Sequence, residues 1–514
     1  MRTRRRKYFK MLRMTSFCRL NNTIRFKIMY FLIIVLVLSY CVQSNSAQES
    51  IKVRDYLEEK FDSAIFHIYL DSMDELDSNE IEFIDVLAEQ TKDRQMYYGK
   101  KVYQDGFNMK LLNQLREETR KREESFNQTV GEIIVEEDEL ILPDLPPMKF
   151  WERLYAHMVS VQKIISTTEY NRFSICGVDP ARSERVVKRV KNYFDWCSEW
   201  VKEGNELEKL AEKAQEEGNI FLARQLFHSA AGCYHIGAFL NYYDIKEKVE
   251  AHDMARDSYK KAIALYKEKD RPVRIEIPFR DVEIPGYLIL ARQPDQPLII
   301  FVNVLNNIKE VENHFYAQNF VKAGFNVFSF DGPGQGELRQ NMSLIPDYEK
   351  VIHAIIDWFE INNNFNIDIE RIGVIGISFG GFFSIKAAAT DPRIDCVISN
   401  GGFAYFPPLS HLEDLSIPTK RSVYYMTGYR NMKEVSKHFG HLDIKECSPL
   451  TRPMLIIQGG KDKTVPSKHA YYFMDWAIGD KKELLFIEEA NHCCQDYFDL
   501  ITPYTIDWFR KYLL

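Results

Sequence analysis

Three residues of the 514-residue chain have the types and the chain order for nucleophilic acyl chemistry: Ser378, Asp462 and His492. A serine hydroxyl is a weak nucleophile until a neutral imidazole takes its proton. The imidazole does so best when a carboxylate fixes its tautomer and stabilises its charged form. Ser378 lies in Gly376-Ile377-Ser378-Phe379-Gly380, Asp462 follows Leu455-Ile456-Ile457-Gln458 within a few residues, and His492 lies in Ala490-Asn491-His492-Cys493-Cys494. Read singly, each has a bland alternative: a Gly-Ser turn, a solvated turn acid, an ordinary loop histidine. Their joint placement, each just past a strand-like run and in the order Ser, acid, His, is what points to a triad.

The elements that would hold these residues can be read from apolar patterning. Arg371 to Ile377 is a buried strand that ends at the serine, and Gly380 to Ala389 is a helix. A strand, a tight turn and a helix form the nucleophile elbow, in which glycines on either side of the serine make room and the N–H of Phe379 becomes one oxyanion donor. The grammar changes after Arg271-Pro272. Strands are expected at Val273 to Ile277, Tyr287 to Ala291, Pro297 to Val302, Asn326 to Phe330, Ile394 to Ser399, Met454 to Gln458 and Glu483 to Ile487. Helices are expected near Glu310 to Ala323, Tyr348 to Asn362 and Ser467 to Ile478, with a last one running through Trp508. Apolar strands that alternate with helices imply an α/β fold with a mostly parallel, doubly covered sheet over residues 271–514. The long aromatic stretch Phe403 to Pro449 is expected to be a lid insertion.

Residues 48–270 read as an all-helical N-terminal domain. Its clearest hairpin is Glu206 to Leu240, turning at Gly218-Asn219, with Ala211, Ala214, Ala223, Ala230 and Ala231 allowing close approach. An acidic, proline-rich break at Val135 to Pro147 reads as a loop between helices. Residues 1–47 carry ten Lys and Arg and no Asp or Glu, then an apolar run from Ile28 to Leu38 and small polar residues through Ala47. That order is that of a secretory signal peptide; an uncleaved membrane anchor is the alternative. Asn127-Gln128-Thr129 and Asn341-Met342-Ser343 are glycosylation sequons that matter only in a eukaryotic secretory pathway.

Composition excludes several classes. With 45% hydrophobic and 27% charged residues the chain is globular. Removing the ten leader cations from 67 leaves 57 basic against 74 acidic residues, a net charge of −17, which argues against nucleic acid as a partner. Seven scattered cysteines follow the leader, too few and too irregular for a disulfide scaffold, and no pair has zinc spacing. Neither a metal nor an organic cofactor is called for.

Asp331-Gly332-Pro333-Gly334-Gln335-Gly336-Glu337, Arg371 to Gly381, Ala388 to Ile394 and Ala490 to Cys493 together resemble the α/β-hydrolase group of 2,6-dihydropseudooxynicotine hydrolase, FrsA and the fungal heptaketide-shortening hydrolase. The likeness runs from about Glu206 to the C-terminus. It implies an eight-stranded α/β-hydrolase fold with a helical cap, the triad Ser378, Asp462 and His492, and a structural role for Asp331 to Glu337. It suggests a hydrophobic ester or β-diketone substrate, with carbon–carbon bond hydrolysis in the better-known members, and dimerisation through the helical domain.

The chain departs from that group at one point. Where glycines usually present a second oxyanion N–H, it has Asn303-Val304-Leu305-Asn306-Asn307; the N–H of Val304 or Leu305 can still serve, since only backbone is required. Glu413 and Asp414 are candidates for an auxiliary acid that protonates a carbon leaving group, with simple surface charge as the alternative. Two other readings stand beside the hydrolase: a peptidase of the prolyl-oligopeptidase type, and a catalytically silent binding protein on the same fold.

Overall fold

The computed structural model describes residues 145–146, 156, 165, 167–362 and 364–514. The leader, its signal-peptide or anchor reading, the first sequon and most of the Val135 to Pro147 break lie outside the described residues. From Val159 onward the chain forms one compact unit.

The unit begins with five helices: α1 (Thr167–Ile175), α2 (Pro180–Arg189), α3 (Phe194–Glu216), α4 (Ile220–Phe239) and α5 (Ile245–Ala264). The expected α3–α4 hairpin forms, turning at Gly218, and all five spacing alanines are buried. Small side chains there let the two backbones approach, so burial of their neighbours Trp200, Phe227 and Tyr234 stabilises the pair.

The sheet has eight strands, β1 (Val273–Phe279), β2 (Val282–Ile289), β3 (Gln296–Val302), β4 (Asn326–Phe330), β5 (Ile367–Ile377), β6 (Ile394–Asn400), β7 (Met454–Gly459) and β8 (Lys482–Ile487), in the order β1-β2-β4-β3-β5-β6-β7-β8. Only β2 runs antiparallel to its neighbours; from β4 through β8 every pairing is parallel. Alternate side chains serve opposite faces, as a doubly covered sheet requires. Leu298, Ile300 and Val302 of β3 join one core with Val374 and Met454, while Ile299 and Phe301 join a second with Ile375 and Leu455.

Helices α6 (Glu312–Lys322), α7 (Glu349–Ile361), α8 (Phe379–Thr390), α12 (Lys468–Trp476) and α13 (Phe498–Leu513) cover the two faces. The region expected to be a lid carries α9 (Leu409–Asp414), α10 (Ile417–Thr427) and α11 (Met432–Phe439). Ser416 caps α10 through the N–H of Thr419, and Asn431 caps α11 through that of Glu434.

Several element limits differ from the sequence reading. The second strand starts at Val282, five residues early, because Arg280 takes a left-handed φ of 53° and turns the chain back at once. The fifth starts at Ile367, with register shifts against both neighbours that let its first residues pair before the buried run begins. The helix after the elbow starts at Phe379, immediately past the serine. The last helix runs on to Leu513, whose side chain is buried against the sheet.

The N-terminal helices are pinned to the catalytic layer by polar side chains. Tyr259 Oη bonds His314 Nδ1 at 3.0 Å, Arg172 pairs with Glu312 at 2.6 Å, and Tyr242 Oη donates to Ser422 Oγ at 2.9 Å. The first two grip α6, and the third grips α10.

Candidate active site

Ser378 sits between β5 and α8 with φ 54° and ψ −114°, a left-handed conformation that costs a non-glycine residue about 1–3 kcal/mol. The surroundings impose it. A Cβ on Gly376 would lie 2.1 Å from the carbonyl oxygen of Gly380, and one on Gly380 would lie 2.5 Å from that of Val302. The turn therefore closes only with glycine at both places, and the serine N–H is held by Asn400 O at 2.7 Å at the end of β6. The serine side chain is thereby raised above the carboxyl ends of the strands, next to the N-terminus of α8.

Two further loops complete the arrangement. Asp462, just beyond β7, has a fully buried carboxylate. Its Oδ1 accepts the N–H groups of Thr464 at 2.9 Å and Val465 at 2.8 Å, which leaves Oδ2 facing His492 Nδ1 at 2.7 Å. His492 Nε2 lies 2.8 Å from Ser378 Oγ. Because Oδ2 can only accept from Nδ1–H, Nε2 is the free nitrogen and can take the serine proton. Burial alone disfavours a charged imidazole here. Cys493 and the Asp462 carboxylate favour it more, and the ring's pKa stands above its ordinary value. The loop is fixed by Cys493 and Cys494, both at positive φ, and by Asn400 Nδ2 donating to Cys493 O at 3.0 Å.

The loop after β3, where the second oxyanion N–H is expected, lies against the elbow: a Cβ on Gly380 would stand 2.6 Å from the carbonyl oxygen of Asn303. Val304, Leu305 and Asn306 are half-buried, while Asn303 and Asn307 to Glu310 on either side are buried. The N–H groups of Phe379, Val304 and Leu305 have no acceptor among the described residues. Asn303 Nδ2 donates to Phe330 O at 2.8 Å, and Asn307 Nδ2 bonds Asn313 Oδ1 at 2.8 Å. Beneath them Lys309, wholly buried, pairs with Asp331, Glu337 and Glu310 at 2.9, 2.9 and 2.7 Å. Burial opposes its charge, but the three carboxylates outweigh that and raise its pKa. Asp331 Oδ1 also takes the Lys309 N–H at 2.9 Å. The segment Asp331 to Glu337 is thus a clamp for the oxyanion loop, a structural role in keeping with the resemblance.

Sequence reasoning missed Lys309, Asn313 and the side chain of Gln335, since polar residues in loops and in the first turn of a helix read as solvated. The only pointer was the unusual density of glycine around Gln335. Glu413 and Asp414 are exposed at the end of α9, and neither bonds to Ser378 or His492. Among the described residues, two groups carry ligand types suited to a metal, Glu310 with Asp331 and Glu337, and Cys176 with His235 and Glu312. In each, a cationic side chain of the chain itself, Lys309 or Arg172, already balances the carboxylates.

Comparison with known proteins places this geometry. The Prolyl oligopeptidase family model matches residues 313–513, and the Esterase FrsA-like model matches residues 181–407. The 2,6-dihydropseudooxynicotine hydrolase of Paenarthrobacter nicotinovorans is 30% identical over 308 residues, covering 59% of this chain and 80% of that protein. The 20-hydroxy-prefusarin hydrolase FUS2 of Gibberella moniliformis is 31% identical over 221 residues, 40% of this chain and 52% of that one. The chain thus spans about half the length of that fungal relative and of the hydrolyase poxO of Penicillium oxalicum, at 51%. Among solved structures, that of 2,6-dihydroxy-pseudo-oxynicotine hydrolase superposes with a TM-score of 0.61 at 25% identity, covering 67% of this chain and 96% of the other. AbyA5, with a TM-score of 0.51 at 15% identity over 62% of this chain and 89% of that one, shares the fold. The chain is an α/β-fold hydrolase and belongs to the family of 2,6-dihydropseudooxynicotine hydrolase.

Proposed function

We propose that the protein is a serine hydrolase that cleaves a hydrophobic ester or β-diketone through an acyl-enzyme on Ser378. One observation carries this reading: the unbroken chain from Ser378 Oγ to His492 Nε2 at 2.8 Å and from His492 Nδ1 to Asp462 Oδ2 at 2.7 Å, on a serine held at positive φ.

The steps follow from those contacts. Ser378 Oγ attacks the substrate carbonyl carbon while His492 Nε2 takes its proton. The carbonyl oxygen gathers negative charge between the N–H of Phe379 and an N–H of the loop after β3. The tetrahedral adduct collapses, the bond to the leaving group breaks, and His492 returns the proton to that group, an alkoxide oxygen in an ester or an enolate carbon in a diketone. Water then enters, loses a proton to the same nitrogen, and releases the acid and the serine. Asp462 stays ionised and holds the ring throughout.

Two relatives' names support a substrate with an activated carbonyl in an apolar body: one is a hydrolase of 2,6-dihydropseudooxynicotine and another of 20-hydroxy-prefusarin. A peptidase reading draws on the Prolyl oligopeptidase family match over residues 313–513. The test is a panel of aryl esters, 1,3-diketones and dipeptide amides assayed with the wild type and Ser378→Ala. Turnover of an ester or diketone that disappears in Ser378→Ala is expected. Turnover surviving in that variant would refute the nucleophile, and cleavage of amides alone would favour the peptidase. Passage through the secretory pathway is part of the proposal, resting on the order of residues in the leader. N-terminal sequencing of the expressed protein tests it, and an intact leader would sink the cleavage.

A further inference from the structure

A buried amide makes the shorter of two bonds to a carbonyl after β3, that of Val304, which also takes the Asn307 N–H at 3.5 Å. Gln335, in Asp331 to Glu337, is 1% exposed. Its Nε2 donates to Val304 O at 2.8 Å and stands 3.4 Å from Asn303 O. Its Oε1 accepts the N–H of Gly332 at 3.2 Å and the hydroxyl of Tyr348 at 2.7 Å. The orientation of the amide follows from these partners. A backbone N–H can only donate and two carbonyls can only accept, so the oxygen must face Gly332 and the nitrogen must face the loop.

That contact decides where the next N–H points. In a trans peptide the C=O and the following N–H are opposed, and no cis peptide occurs among the described residues. Fixing the Val304 carbonyl on Gln335 therefore turns the Leu305 N–H to the other side, where it has no acceptor. The Asn303 carbonyl, by contrast, lies against α8: a Cβ on Gly380 would come within 2.6 Å of it. The Val304 N–H, opposed to that carbonyl, faces away from the elbow helix.

We propose that Gln335 is a positioning residue of the oxyanion site, and that it selects the Leu305 N–H as the partner of the Phe379 N–H. The proposal rests on Ser378 being the nucleophile. In this chain a side-chain amide supplies the loop conformation that glycines after the third strand would otherwise supply. Preorganised donors help only if they are aimed before charge develops, so mis-aiming Leu305 weakens the transition state and leaves substrate binding almost untouched.

The test compares wild type, Gln335→Met and Tyr348→Phe in hydrolysis of a p-nitrophenyl acyl ester and in inhibition by an aryl trifluoromethyl ketone, which forms a tetrahedral oxyanion on serine. Gln335→Met is expected to lower kcat about 100-fold with KM changed less than about threefold, and to weaken the ketone by the same factor as kcat/KM. Tyr348→Phe frees one end of the amide and is expected to lower both by about tenfold. A folded Gln335→Met with unchanged kcat, with a loss confined to KM, or with full ketone affinity would overturn the proposal. If that variant does not fold, Tyr348→Phe decides by the same two readouts. An active wild type indifferent to Gln335 removes only this proposal. A wild type that neither turns over nor reacts with a fluorophosphonate removes the nucleophile assignment and this proposal with it.

Discussion

The elbow and the loop after β3, the two halves of the proposed site, are built by opposite means. The nucleophile half is made by subtraction: Gly376 and Gly380 remove side chains so that a strand and a helix can meet at a strained serine, with backbone atoms 2.1 and 2.5 Å from where each Cβ would stand. The oxyanion half is made by addition. Asn303, Lys309, Asn313 and Asp331 fill the space under the loop with charged and amide groups bonded to one another, and Gln335 holds the Val304 carbonyl. A turn made of glycines needs only its own few residues. A loop held by side chains needs partners from β3, α6 and the segment after β4. The first fails if any atom is added, and the second fails if any partner is removed, because a buried polar group left alone keeps its full desolvation cost.

Substitutions can break each half in its own way, and the largest effect belongs to the nucleophile. Ser378→Ala should lower kcat by about 10⁶-fold with the thermal midpoint preserved or raised, since alanine removes only the hydroxyl. Asp462→Asn should cost about 10⁴-fold, because the imidazole loses its orientation and the favoured tautomer. The same change carries a pH signature. The carboxylate favours the protonated ring, so the acid limb of kcat/KM in the wild type should lie above pH 6.5 and should move to lower pH in Asp462→Asn. A limb that stays put would detach Asp462 from the imidazole.

The oxyanion half should answer in stability before it answers in rate. Lys309→Met leaves Asp331 and Glu310 buried without their cation and should destabilise the fold by about 3–5 kcal/mol, read by denaturant unfolding. A loss under about 1 kcal/mol would mean that the carboxylates find another partner or protonate without cost. The smallest effect is expected outside both halves: Glu413→Gln should change turnover of an ester and of a diketone by less than about twofold. A selective loss on the diketone would reinstate Glu413 as the auxiliary acid.

The same contrast explains what could be read in advance. The strands and helices around the elbow were legible, and Ser378, Asp462 and His492 could be singled out as candidates, because each depends on adjacent residues with a marked pattern: an apolar run, a small-residue turn, a loop after the next strand. The stretch Phe403 to Pro449 carries three helices, two of which start where Ser416 and Asn431 supply caps. The clamp was not legible. Asn303, Asn313 and Gln335 are polar residues in segments up to 32 positions apart, and nothing in their local text separates a buried amide from a solvated one. Lys309 is the extreme case, a lysine whose ammonium is fully buried only because three carboxylates converge on it.

The account stands on Ser378 being the group that attacks. Incubation of the folded wild-type protein with a fluorophosphonate, followed by proteolysis and mass spectrometry, tests this most directly. The predicted result is one phosphonyl group per chain on the peptide containing Ser378, no label after Asp462→Asn within the time that saturates the wild type, and none in Ser378→Ala. A folded protein that takes no label, or a label on another residue that persists in Ser378→Ala, would contradict it.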